Sequence, residues 1–181
     1  MADKNEVHLE ALRRFDEAYE YERENREEAV EDLRFRAGFQ WDAAAEAERK
    51  ADNRPTLTVN RIPQFVRQVT GDVRQNRPGI VVDPVDSDAD PIVAKIYTGL
   101  IRNIEQQSDA QAAYVTAVEG TATCGIGAFR ISTEYSSDDA FEQDVFIRPI
   151  QNPLSVYVDP SSQLGTGEDA SWMFVTEEIT K

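Results

Sequence analysis

Few side chains in this sequence have the type and spacing to do chemistry. The stretch "DPVDSDAD" sets Asp83, Asp86, Asp88 and Asp90 two or three residues apart, the carboxylate density of a calcium loop. A helix–loop–helix calcium site also needs a mid-loop glycine and a closing bidentate glutamate, and neither is present. Surface turn and helix cap are the better roles for these aspartates, and Asp159, Glu168 and Asp169 in a later loop read the same way. "GTATCGIG" (Gly120, Gly125, Gly127) suggests a phosphate loop. A dinucleotide fingerprint, however, runs strand, glycines, helix, so that the helix amide end meets the phosphate. Here the order is helix, glycines, strand, and a helix stop followed by a tight turn is expected. His8 is the only histidine and sits among charges, so no histidine-rich metal site can form. Cys124 is the only cysteine. It has no partner for an internal disulfide, a reducing intracellular site of synthesis fits it, and a buried small hydrophobe is its expected role. No catalytic residue, cofactor or metal is expected.

One polar constellation remains. "TVNRIPQFVRQVTGDVRQNRPGI" carries Arg61, Arg67, Arg74 and Arg77 against a single Asp72, in a chain of formal net charge -15. Residues 1–50 hold 9 basic and 15 acidic side chains, 51–81 hold 5 and 2, and 82–181 hold 5 and 17. Most of this surface repels phosphate, which disfavours tight wrapping of nucleic acid but not its passage past a surface that does not hold it. The helical repeat sets Ile62, Phe65, Val66, Val69 and Val73 on one face and Gln64, Arg67, Gln68, Arg74 and Gln75 on the other. Three partners fit that polar face: acidic surface of a neighbouring copy such as the glutamate-rich first helix, carboxylates of the same chain, or DNA.

The elements that carry these residues follow from periodicity. With 181 residues, 40% hydrophobic and 29% charged, one ordinary domain or two small ones can bury a core. Apolar runs are far too short to span a bilayer, and "MADKNEVHLE" has no apolar signal region. Residues 5–37 read as one long helix with Leu9, Leu12, Phe15 and Tyr19 as an apolar stripe resumed by Val30, Leu33 and Ala37. Between them "EYERENREE" is polar all round, with Glu22–Arg26 and Arg23–Glu27 at supporting spacing, and it suits either a solvated face or a partner-binding helix. Gly38 is the expected stop, with Phe39 and Trp41 as anchors. A short helix or loop over "DAAAEAERKADN" and an extended "TLTVN" lead to the arginine helix, whose first turn holds Pro63.

"IVVDPV" reads as a short strand. Asp90 caps a helix opening with Pro91, whose Ile92, Ile96, Leu100 and Ile104 stripe must be buried against something. Ser108 with Gln111 resembles a capping box that restarts a helix, stopped at Gly125. Alternation then takes over: Phe129, Ile131 and Tyr135 mark a half-buried strand, "DVFIRPI" returns from a turn, and "LSVYV" and "SWMFVT" add two more. The expected fold is α+β, a long first helix and further helices followed by an antiparallel β-meander. The expected parts are an N-terminal helical arm (1–53), a helical core segment (54–125) and an antiparallel β segment (126–181) cut short at its C-terminus.

The order of segments resembles the N-terminal part of tailed-phage portal proteins of the short-tailed type. The resemblance starts at "LRRFDEAYE" and "DLRFRAGFQWD" and continues through "LTVNRIPQFVRQVTGDVRQNRPGIVVDPVD" and "AVEGTATCGIGAFRISTEY". It closes with "IQNPLSVYVDPSSQLGTGEDASWMFVTEEIT". It implies a non-enzymatic subunit of a homo-oligomeric ring, usually of twelve copies, in the wing and body of a portal at one capsid vertex. Such rings pass genomic DNA during packaging and ejection, without sequence-specific binding and with no membrane involved. They assemble in the host cytoplasm and meet the terminase motor, scaffold and tail-adaptor proteins through regions largely outside this segment. Family portals are several times longer, so the segment is expected to be a fragment. A stand-alone head-assembly or adaptor module is the rival reading.

Overall fold

The computed structural model describes residues 4–86 and 90–177. Asp88 of the aspartate-rich turn lies outside them. The chain is α+β and forms two compact units: residues 1–60 with 152–181, and residues 61–151.

The first unit is built on α1 (Lys4–Ala37), 34 residues long. Good helix formers and ion pairs at i,i+3 and i,i+4 spacing carry it without a wide apolar face. Two hydrogen bonds close it at Gly38: its own amide donates to the Phe35 carbonyl, and the Phe39 amide to the Arg34 carbonyl. That pattern needs a left-handed residue, and Gly38 supplies φ +108°. α2 (Ala43–Ala51) starts where the Asp42 carboxylate accepts from the Ala44 and Ala45 amides. The remaining elements are a 3-10 turn (Pro153–Ser155), β3 (Val156–Val158) and β4 (Met173–Val175), the last two paired antiparallel with Tyr157 opposite Phe174.

The buried line of α1 differs from the expected stripe. Ala18, Arg26 and Ala29 are buried and Phe15 and Leu33 half-buried, while Leu9, Leu12 and Tyr19 stay exposed. The alanines leave room beside the helix for the aromatic residues of the β3–β4 pair. Phe15 meets Tyr157 at 4.8 Å and Phe174 at 5.8 Å between ring centroids, both edge-on. Phe39 is no anchor: it is 75% exposed. Trp41 is covered in part by the Arg49 guanidinium, 4.9 Å above its ring.

The second unit contains α3 (Ile62–Gln75), α4 (Pro91–Gln107), α5 (Ala110–Cys124), β1 (Phe129–Tyr135) and β2 (Gln143–Pro149). β1 and β2 form an antiparallel hairpin with Ile131 opposite Ile147. α3 packs on α5, and both α4 and α5 pack on β2. Its centre is Ala110, Ala113 and Ile147, with Ile104 and Tyr114 against them. Asp90 caps α4 by accepting from the Ile92 amide at 2.8 Å, as its sequence suggests. The strands fall in two small two-stranded sheets, β1–β2 and β3–β4.

Four local expectations are corrected. "IVVDPV" forms no strand; the Val82 amide donates instead to the Thr98 hydroxyl, which ties this segment to α4. Ser108 and Gln111 do not make a capping box: the Ser108 hydroxyl accepts from the Ile147 amide and the Gln111 amide donates to the Val73 carbonyl. Both side chains are drawn away because tertiary partners offer buried backbone groups that need them. Third, α4 turns Ala94, Thr98 and Ile101 inward, leaving Ile92, Ile96 and Leu100 exposed, Ile96 by 63%. An apolar helix carries more than one possible inner face, and the side with the small Ala94 packs closest. Finally, Phe129, Ile131 and Tyr135 on β1 are exposed, with Ser132 and Glu134 the more covered set. The Arg148–Glu134 fork lies across that more covered face, with nitrogen–oxygen distances of 2.9 and 2.6 Å.

Candidate functional site

The arginine face rests on α3. Pro63 lies in its first turn, where no amide donor is lost, and Val66 and Thr70 form its buried line. Ile62 and Val73 are half-buried beside them. Gln64, Arg67, Gln68, Arg74 and Gln75 are all exposed, as the helical period requires. Arg67 and Arg74 are seven residues apart, hence on one line and about 10 Å apart along the axis. Phe65 and Val69, on the opposite side, are exposed too, Phe65 by 60%, so the expected apolar face is only partly buried.

The pairing pattern of the arginines distinguishes this face from α1. Arg13, Arg14, Arg23, Arg26 and Arg34 on α1, with Arg54 and Arg148, each hold a carboxylate. No hydrogen bond or ion pair joins the guanidinium of Arg61, Arg67, Arg74 or Arg77 to another described residue. Pairing with carboxylates of the same chain, one of the three partners the sequence left open, is therefore not made among the described residues. Arg74 and Arg77 also line an open cleft of about 430 Å³ with Asp109, Gln111, Ala112 and Thr116.

The other residues that could have done chemistry are spent on structure. Cys124 is buried, its thiol directed at the Gly120 carbonyl (3.4 Å) and the Ile126 carbonyl (3.8 Å). Gly120 and Gly127 allow the chain leaving α5 to pass against its last turns, where a Cβ on Gly127 would lie 1.9 Å from the Ala117 carbonyl oxygen. His8 is an exposed residue of α1. Among the described residues, no group of three or more His, Cys, Asp or Glu side chains could hold a metal ion.

The acidic loop 159–171 is a hydrogen-bonded knot. Asp159 accepts from the Ser161 amide (2.9 Å), the Ser161 hydroxyl (2.7 Å) and the Ser171 amide (3.1 Å). Asp169 accepts from the Ser162 hydroxyl and the Gln163 amide, both at 2.6 Å. These bonds hold both carboxyls below their ordinary value of 3.8, the serine hydroxyls contributing most. Depressed carboxylates stabilise the loop fully above that value and cease to do so as pH falls through the lower, folded-state one. The Gln163 amide proton resonance is expected to titrate with a midpoint below 3.8; a midpoint at or above it would contradict the bonding.

Sequence reasoning missed Arg26, which is only 8% exposed. Its Nε donates to Glu22 at 2.8 Å, its other nitrogens reach the Leu154 and Val156 carbonyls, and its guanidinium lies 3.6 Å over the Tyr157 ring. The usable signal was the small residues around it: Ala18 and Ala29 mark the same side of α1.

The sequence signature of the family described as Phage P22-like portal protein matches residues 12–181. A curated portal protein of Acyrthosiphon pisum secondary endosymbiont phage 1 is 29% identical over 177 residues, covering 92% of this chain and 25% of that protein. The chain thus spans about a quarter of that relative's length. With a family match over nearly the whole α+β chain, this protein belongs to the phage P22-like portal family.

Proposed function

We propose that the chain is a segment of a structural subunit in a homo-oligomeric portal ring at one capsid vertex, the passage through which phage DNA is packaged and ejected. The family match over residues 12–181 carries this reading. A ring subunit needs surfaces for its neighbours, and the face of Gln64, Arg67, Gln68, Arg74 and Gln75 is the one assigned here. It is exposed, cationic and without internal ion pairs among the described residues. Arginine is enriched at subunit interfaces, where its guanidinium pairs with carboxylates of the partner.

DNA is cargo in this account, not a ligand. A net charge of -15 repels phosphate over most of the chain, which suits a wall that lets a polyanion slide by. The assembled ring, twelve copies in the complete protein, works in the virion after assembly in host cytoplasm. It docks the terminase motor, scaffold and tail adaptors through sequence largely beyond this segment. Among the described residues, no helix is long and apolar enough to cross a membrane.

Mass measurement of the complete gene product at micromolar concentration tests the reading. A closed ring of about a dozen subunits is expected. A monomer or dimer at every concentration would overturn it and favour the stand-alone adaptor module.

A further inference from the structure

We propose that the arginine row of α3 docks on one specific line of α1 in a second copy of the chain, Glu24–Glu28–Asp32. The inference rests on the ring reading above and adds the partner surface to it.

The acidic side of the match comes from the ion pairs of α1. Glu10 and Glu17 are held by Arg13 and Arg14, Glu20 and Glu27 by Arg23, Glu22 by Arg26 and Glu31 by Arg34. Glu24, Glu28 and Asp32 are exposed and hold no cation among the described residues. They follow one another at i,i+4, so they form a ridge about 12 Å long that winds gradually round the helix. Glu6 and Asp16, likewise without a cation, lie toward the other end of the helix. The Arg67–Arg74 row spans about 10 Å, a length that lets both guanidiniums meet carboxylates of the ridge at once.

Tyr21, Glu28 and Phe35 recur every seven residues, so two exposed aromatics bracket the acidic ridge. Phe65 and Val69 are exposed on α3 as well, but the helical repeat sets them on the side opposite Arg67 and Arg74, so they lie outside the ionic line. The two lines are opposite in sign, and that charge complementarity is what matches them. A closed ring requires two different, complementary patches on each chain, and these two satisfy that condition.

Charge exchange in the complete gene product tests the assignment. Variant one carries Arg67→Glu and Arg74→Glu; variant two carries Glu24→Lys, Glu28→Lys and Asp32→Lys. Each alone is expected to lower ring yield at least about tenfold, with helicity by circular dichroism unchanged. Mixing the two should restore rings, because each supplies the surface the other needs, and combining all five changes in one chain should restore them as well. Arg67→Lys with Arg74→Lys should retain rings, which guards against a mere folding defect in the first variant.

Rings unaffected by variant one would overturn the α3 interface itself. Rings lost in variant one and not restored by mixing would overturn the α1 partner alone and leave that interface standing. Restoration by the five-fold variant without restoration by mixing would mean pairing inside one copy, against the proposal. Loss of co-purifying nucleic acid from variant one, with rings intact, would assign the arginines to phosphate and also refute it.

Discussion

Arg26→Ala is expected to cost about 3–5 kcal/mol in the unit formed by α1 and the β3–β4 pair, the range for breaking a buried ion pair by removing one partner. The change leaves Glu22, largely buried, without its cation, and the carbonyls of Leu154 and Val156 without their donor. It also strips the cation from the face of Tyr157. Arg23→Ala, three residues away, removes only exposed pairs with Glu20 and Glu27 and is expected to change stability by less than about 1 kcal/mol. Amide hydrogen exchange at Val156–Val158 checks both: protection should collapse in the first variant and persist in the second. Equal behaviour of the two would mean that Arg26 is not the pin between α1 and β3.

Gly127→Ala should be the most damaging single methyl in the second unit. The new Cβ would sit 1.9 Å from the Ala117 carbonyl oxygen and 2.4 Å from the Thr121 hydroxyl. Backbone has to move, since neither the carbonyl nor the turn that carries it can rotate aside, and a cost of about 3 kcal/mol or more is expected. Gly99 offers the contrast inside α4: nothing lies within 4 Å of its Cβ position. Gly99→Ala should stabilise by up to about 1 kcal/mol through helix propensity and a less flexible unfolded chain. At roughly 2–4 °C per kcal/mol for a chain of this size, the melting temperature should fall by about 6–12 °C in the first case and rise by a few degrees in the second. A tolerated Gly127→Ala would contradict the close passage of the chain against α5.

These effects show where sequence was informative and where it was not. Helix extents followed from punctuation with a local physical cause: Gly38 at positive φ, Asp90 on the Ile92 amide, Gly125 at the end of α5. The first hairpin followed from alternation and a polar turn. Choice of face did not. α1 and α4 both carry apolar residues on more than one side, and periodicity cannot rank faces that alanine spacing and distant partners decide. Arg26 is the clearest case, since its carbonyl partners lie 128 and 130 residues away. Ser108 is another: a capping pattern is local, but the Ile147 amide 39 residues on outcompetes it. On α3 the exposure of the Gln and Arg positions was legible because polar residues obey the helical period. That the arginines hold no internal carboxylate was not, because pairing depends on what folding brings within 4 Å.

The most direct test of the account is an electron cryo-microscopy map of the assembled, complete gene product, read at α3. The account predicts a ring in which Arg67 and Arg74 lie within ion-pair distance of carboxylates on the adjacent subunit. A ring whose α3 polar face opens to solvent, or turns onto acidic residues of its own subunit, would contradict it.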